Sequence, residues 1–202
     1  PLYWEKKIIG FYGVDNPPAE SLDYVSDMLH IMGSFIVSSI RRRNLLRQLE
    51  RMSYRDQLTQ FGNRYAVDWF VEHEWNGEQI GVVYCDITGL KKVNDEQGHE
   101  AGDRLIIRAC ECLAGVFKGY GLYRIGGDEF LVLCLGIEEK DLREHVEKLH
   151  MDMKEHQVTM AVGMIWKEHG PKDIDLLLNE SERLMYEDKD RYYKEHGLKR
   201  RR

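Results

Sequence analysis

The sequence predicts a mixed α/β (α+β) domain around one central sheet, and three observations predict it. Amphipathic helical patterns alternate with short apolar runs along most of the chain. Two of those runs, "GLYRI" and "EFLVLCL", flank Gly126-Gly127 as the arms of a hairpin. The length of 202 residues, 43% of them hydrophobic and 32% charged, suffices for one domain with a proper core plus an appendage.

Residues 1–18 carry "KKIIGFYGVDNPPAE", an apolar strand from Ile8 to Val14 closed by the turn signal Asp15-Asn16-Pro17-Pro18. A lone strand does not fold by itself, so the segment reads as the remnant of a larger upstream domain. Residues 19–52 predict one long connecting helix. Apolar residues recur at Leu22, Val25, Leu29, Met32, Ile36 and Ile40, then at Leu46, Leu49 and Met52, with a slip around Arg41-Arg42-Arg43. That spacing fits a coiled-coil seam between two chains and equally a helix packed on its own domain. A compact domain follows over 53–198. Asn63 caps a helix running to about Trp75. A strand covers 79–88, an amphipathic helix 101–117, the hairpin 121–135, a helix 139–155, a strand 157–165 and a last helix 172–195.

The formal net charge of −6 argues against a nucleic-acid polymer as partner, because phosphate backbones need clustered cations. "KRRR" at 199–202 reads as a solvated end. The four cysteines, Cys85, Cys110, Cys112 and Cys134, lie in apolar runs or a helical pattern with no paired C-x-x-C spacing, so thiol ligation of zinc is not expected. They read as buried reduced thiols of a cytoplasmic protein. No apolar run approaches the roughly 18 residues of a membrane span, so no membrane contact is expected here, although a longer parent chain can carry one.

The chemistry concentrates where apolar runs stop. "VVYCDIT" delivers Asp86 at the end of a buried strand, where a carboxylate that has lost water needs a cation, a donor or a metal. Asp128 and Glu129 occupy the hairpin tip. If the hairpin lies beside the first strand, Asp86 converges with one of them, and Mg²⁺ would relieve the repulsion while keeping substrate phosphates in its shell. Where strand alternation holds, Asp128 and Glu129 point to opposite faces, so only one meets Asp86 directly, and which one stays open. Lys91 and Lys92 follow within a few residues, suited to charge developing on a metal-bound triphosphate. Asn94 and Asp103 suit the edge of a base, and His99 lies between them.

These residues fall in blocks that resemble the GGDEF domain of bacterial diguanylate cyclases. "RIGGDEF" (124–130) is similar to the family signature and "DQLTQFGNR" (56–64) to its opening D-x-L-T-G-L-x-N-R. "DITGLKKVNDEQGHEAGD" (86–103) is similar to its D-x-D-x-F-K-x-x-N-D-x-x-G-H-x-x-G-D block, and "SERLMYEDK" (181–189) to its closing A-D-x-A-x-Y-x-A-K. The resemblance spans about 53–195. It implies a central, mostly antiparallel sheet wrapped by helices, akin to adenylyl cyclase and polymerase palm domains. It also implies condensation of two GTP into cyclic di-GMP and two pyrophosphates across a homodimer. By the same resemblance Asp86, Asp128 and Glu129 with the Ile87 carbonyl hold Mg²⁺ or Mn²⁺, two ions per site, and Asp128 is the favoured base. Lys91 and Lys189 meet the phosphates, Lys91 stabilising the transition state. Asn94 and Asp103 hold guanine, and His99 lines the nucleotide site. "IIGFYGVDNP" resembles, over a short stretch, the end of a GAF-type sensory domain.

The chain departs from the pattern at four places. Thr88 stands for a second acid with Gly89-Leu90 beside it for aromatic-type positions, and Gln60-Phe61 for Gly-Leu, a change expected to shift that turn. Tyr192-Tyr193 stand where the family often has G-R-N, which removes a phosphate-contacting Arg. Phe117-Lys118-Gly119-Tyr120 replaces the R-x-x-D of the product-inhibition site, so that feedback is expected to be absent. Thr88, Gln60 and the missing terminal Arg motivate the alternative of a catalytically silent GTP-binding regulatory module.

Overall fold

The computed structural model describes residues 1–4, 7–52, 54–171 and 173–197. The tail at 199–202, Ser53 at the expected domain start, Leu198 at its end and Lys172 at the expected start of the last helix lie outside the described residues. The chain divides into two compact units between residues 53 and 54.

In the first unit, β1 (Leu2–Trp4) and β2 (Lys7–Gly10) form an antiparallel hairpin with Tyr3 opposite Ile8. The expected strand at 8–14 is therefore shorter than read, and it is paired. Its partner escaped notice because a three-residue strand carries no periodicity of its own. A 3-10 turn at Ala19–Ser21 leads into α1 (Leu22–Met52). Gly33 of α1 faces Tyr12, whose hydroxyl lies 2.5 Å from where a Cβ would be. Ile31, Phe35, Leu45, Leu46 and Leu49 of α1 are exposed.

The second unit is one four-stranded antiparallel sheet with helices on both faces. Its strands are β3 (Ile80–Ile87), β4 (Gly121–Arg124), β5 (Glu129–Leu135) and β6 (Met160–Lys167), in the order β4-β5-β3-β6. Its helices are α2 (Arg64–His73), α3 (Leu90–Gln97), α4 (His99–Val116), α5 (Glu139–Glu155) and α6 (Asp175–Glu195). Asn63 caps α2, its side chain accepting from the Ala66 N–H at 3.1 Å, as its position before a helical pattern predicts.

Alternation along the central strand β3 separates two cores. Val83, Cys85 and Ile87 face one side and pack with Phe130, Leu105, Leu113 and Leu149, the last three from α4 and α5. Val82 and Tyr84 face the other and pack with Leu131, Val67 and Phe70 of α2, and Leu177 and Met185 of α6. All four cysteines are buried and free, and burial pushes the thiol pKa of Cys112 up to about 11 and that of Cys110 to about 12, so they stay protonated thiols at neutral pH.

Two features differ from the sequence reading. The segment between Asp86 and the next helix holds α3, which Gly98, at φ +84°, separates from α4. Only Leu90 and Val93 face inward from α3, too few to set up a legible period. The strand β6 begins at Met160, because 156–159 is spent turning out of α5, with Gln157 at φ +53°.

Helix α6 sits unusually close to the sheet. A Cβ on Gly163 of β6 would lie 2.0 Å from the Ser181 carbonyl oxygen and 2.3 Å from the Met185 nitrogen, so only glycine admits the α6 backbone there. β6 is an edge strand, and its Val162 N–H donates to the Asp188 carboxylate of α6 at 3.0 Å. These two contacts fix the height and rotation of α6 and hence where its neighbour Lys189 points.

Candidate active site

The register of β3 against β5 places Asp86 directly opposite Glu129. Directly opposed residues share a face, here the face of Tyr84 and Leu131 beneath α2 and α6. The acid that meets Asp86 across the ladder is thus Glu129. Asp128 lies one residue earlier, and its backbone carbonyl accepts from the Ile87 N–H at 2.9 Å. It sits in the bend before β5, where strand alternation does not apply, and its negative charge acts on Glu129.

Asp86 is 4% exposed and its carboxylate accepts from the Lys189 ammonium, Nζ to Oδ1 2.6 Å. The lysine side chain is itself only 14% exposed. Glu129 is half-buried, and burial first, then the negative charges of Asp86, Asp128 and Glu182, raise its pKa above the ordinary value, with Lys189 opposing. A cavity of about 350 Å³ opens beside Glu129, lined among others by Arg64, Tyr84, Asn179 and Glu182.

The hairpin tip is held by residues that the sequence reading assigned no role. Arg124 donates to the Gly127 carbonyl through Nε at 3.2 Å and Nη2 at 2.7 Å, and to Asp56 through Nη1 at 3.1 Å. Asp56 also accepts from the N–H and the hydroxyl of Thr59, at 2.9 and 2.7 Å. Arg124 therefore clamps the tip that carries Asp128 onto the 56–62 turn. Burial raises the Asp56 pKa, but the hydrogen bonds from Thr59 and the charge and hydrogen bond of Arg124 outweigh it and hold the carboxyl below its usual value. A depressed folded-state pKa contributes stability that is full above about pH 4 and is lost as pH falls through the folded value. Asp56→Asn is expected to cost about 1–2 kcal/mol at pH 7 and to flatten the acid dependence of stability. Urea denaturation at pH 7 and pH 3 checks both; equal stabilities of variant and parent at pH 7 would refute it.

A profile of the family described as "Diguanylate cyclase, GGDEF domain" matches residues 53–194. The chain belongs to the GGDEF domain family. It is 28% identical over 184 residues to the diguanylate cyclase DgcP of Escherichia coli strain K12, covering 80% of this chain and 54% of that protein. It is 34% identical over 119 residues to an uncharacterized protein in the hutH 5′ region of Streptomyces griseus, covering 55% of this chain and 49% of that one. The chain thus spans about half the length of these two curated relatives. In fold it is similar to the coiled coil and GGDEF domain of DgcB from Caulobacter crescentus, solved in complex with c-di-GMP. The TM-score there is 0.61 at 19% identity, over 85% of this chain and 96% of that one.

Within this GGDEF domain the remaining candidates lie on α3 and α4. Lys91, in the first turn of α3, and His99, at the start of α4, are exposed, as is Asp103. Asn94 is half-buried. Its Oδ1 is sealed from solvent with no hydrogen-bond partner among the described residues, and Gly102 leaves the space it occupies: a Cβ there would lie 1.9 Å from that oxygen. The α3–α4 hairpin thereby brings Asn94 to the residue next to Asp103. Thr88 Oγ1 is likewise buried without a partner among the described residues. Gln60 takes φ +61°, the left-handed conformation where the family has glycine, at a cost of about 1 kcal/mol. The 56–62 turn closes there through Gln60 N–H to the Asp56 carbonyl at 2.9 Å. The signature glycines serve two ends: Gly126 makes room for the Glu129 carboxylate, whose Oε2 would lie 2.4 Å from a Cβ, and Gly127 faces open space.

Among the described residues no group of three or more His, Cys, Asp or Glu side chains is placed to hold a metal ion. The opposed carboxylates of Asp86 and Glu129 suit a divalent ion that takes few protein oxygens. Such ions are held by one or two carboxylates and complete their shell with water and substrate phosphate. Burial first and the surrounding negative charge second raise the Glu129 pKa, and a cation would offset that charge.

Proposed function

We propose that this GGDEF domain is an active diguanylate cyclase, condensing two GTP into cyclic di-GMP and two pyrophosphates across a homodimer. The observation that carries the reading is the cross-strand pairing of Asp86 with Glu129 at a strand end, with Asp128 adjoining and Lys189 against Asp86. Asp86, Asp128, Glu129 and the Ile87 carbonyl are the groups that would hold two Mg²⁺ or Mn²⁺ ions. Bound there, the metal would neutralise phosphate charge and make the 3′-hydroxyl more acidic.

The chain's own groups divide the remaining work. Asp128 takes the proton of the 3′-hydroxyl as its oxygen bonds to the α-phosphorus of the other subunit's GTP, and the bond from that phosphorus to pyrophosphate breaks. Lys91 stabilises charge on the departing pyrophosphate, and Lys189 meets the phosphates. Asn94 and Asp103 accept from guanine N–H groups, and His99 lines the site. One site holds half of the reaction, so two chains must face each other. The exposed apolar residues of α1 support a seam for that pairing. The reading implies a cytoplasmic setting, where GTP is available. No helix among the described residues is long and apolar enough to cross a membrane.

A second reading, a GTP-binding regulatory module without turnover, is favoured by one observation: Lys189 is engaged on Asp86. Incubation with GTP and Mg²⁺ or Mn²⁺ separates the two. Cyclic di-GMP is the expected product. Its absence from protein that dimerises and binds GTP would replace the first reading by the second.

A further inference from the structure

The Lys189–Asp86 pair joins residues 103 positions apart, is buried at Asp86 and largely buried at Lys189, and lies where the cyclase reading puts a divalent cation. An ammonium 2.6 Å from Oδ1 occupies the approach to that oxygen. We infer that Lys189 is a resident counterion of Asp86 that exchanges with the metal. The nucleotide-free protein then holds metal weakly and takes it up together with the triphosphate. The inference rests on that reading only in treating Asp86 as a metal ligand.

Two unfavourable states couple the exchange. A metal arriving while Lys189 stays in place meets a unit positive charge at close range in a poorly hydrated setting. If Lys189 leaves first, Asp86 is left buried and stripped of this cation, beside Glu129 across the ladder. Metal entry and lysine release are therefore favourable only together. The released ammonium also needs a new anion, because its stem is largely buried. Free metal brings none, whereas a metal–triphosphate complex brings several phosphate oxygens. The helix need not move. The close approach at Gly163 and the Asp188–Val162 hydrogen bond fix α6, and the four-carbon lysine stem swings alone. A pair serving stability alone would make a different prediction: removing the lysine would weaken the fold without improving metal binding.

Mn²⁺ titration of the nucleotide-free 202-residue chain, followed by electron paramagnetic resonance, tests the exchange. A neighbouring cation changes a carboxylate's affinity for a proton by about one to three powers of ten, and a divalent ion is opposed at least as strongly. Lys189→Met is expected to bind Mn²⁺ at least about tenfold more tightly than the parent. Lys189→Arg, which keeps the charge, should stay close to the parent. Mn²⁺ should raise the melting temperature of Lys189→Met and leave that of the parent nearly unchanged. With a non-hydrolysable GTP analogue present, the parent should bind Mn²⁺ tightly and its deficit should vanish. Equal Mn²⁺ affinities of parent and Lys189→Met without nucleotide would overturn the inference. If Lys189→Met is unfolded without metal, Mn²⁺ should restore its circular dichroism, and failure to do so overturns the inference as well. Cyclic di-GMP synthesis is scored separately. A preserved metal difference without product removes the cyclase reading and leaves the exchange, and product without the difference does the reverse.

Discussion

Asp128→Ala is expected to lower cyclic di-GMP synthesis by about 10²- to 10⁴-fold, the usual contribution of a positioned proton acceptor, with little change in stability. The structure separates the two effects well at this position. The contact that Asp128 makes to β3 runs through its backbone carbonyl to the Ile87 N–H, which alanine retains. The tip itself is clamped by Arg124 on the Gly127 carbonyl, which does not involve the Asp128 side chain. Removing the carboxylate also takes one negative neighbour from Glu129, so stability should change by no more than about 0.5 kcal/mol. Asp86→Asn is the instructive contrast. It strips Lys189 of a buried counterion and should cost about 3–5 kcal/mol as well as activity. Initial rates of cyclic di-GMP formation paired with urea denaturation check both variants. If Asp128→Ala stays within tenfold of the parent while Glu129→Gln does not, the proton-accepting role passes to Glu129, the acid opposite Asp86.

The possibility of such a transfer marks where the sequence stops being informative. That a carboxylate ends the strand at Asp86, and that two more sit at the hairpin tip, is visible from apolar runs and a glycine pair. Which of the two faces Asp86 depends on the register of β3 against β5, a long-range property that one residue of slip would invert. The long elements β3, β5, α4 and α5 were readable because each carries a sustained apolar pattern, and the start of α2 because Asn63 is a capping residue in the right place. The polar helix α3 and the three-residue strand β1 offered no such pattern. Lys189 is recognisable as part of a closing motif, but its attachment to Asp86 follows from the packing of α6 on β6, which no local signal encodes. Arg124 and Asp56 lie in motifs plain in the sequence, and their clamp emerges only when the hairpin is laid beside the 56–62 turn.

Gly163→Ala puts that packing to the test, at a residue that touches neither substrate nor metal in the proposed reaction. The added methyl would stand 2.0 Å from the Ser181 oxygen and 2.3 Å from the Met185 nitrogen, both backbone atoms of α6, so no side-chain rotation relieves the clash. The helix must rise off the strand, and overpacking against backbone is expected to cost about 3 kcal/mol. For a domain of this size that lowers Tm by roughly 6–12 °C. The displacement also strains the Asp188–Val162 hydrogen bond and draws Lys189 away from Asp86 at the far end of the same segment. Activity should therefore fall more than the loss of folded protein explains, even well below the new Tm. Ser181→Ala is the control on the same turn of α6: its hydroxyl bonds only the Leu178 carbonyl of its own helix among the described contacts, so its removal leaves the helix seated. A Gly163→Ala protein with unchanged Tm would mean that α6 is not held by backbone contact. One that is destabilised but fully active at low temperature would mean that the seating of α6 does not position Lys189.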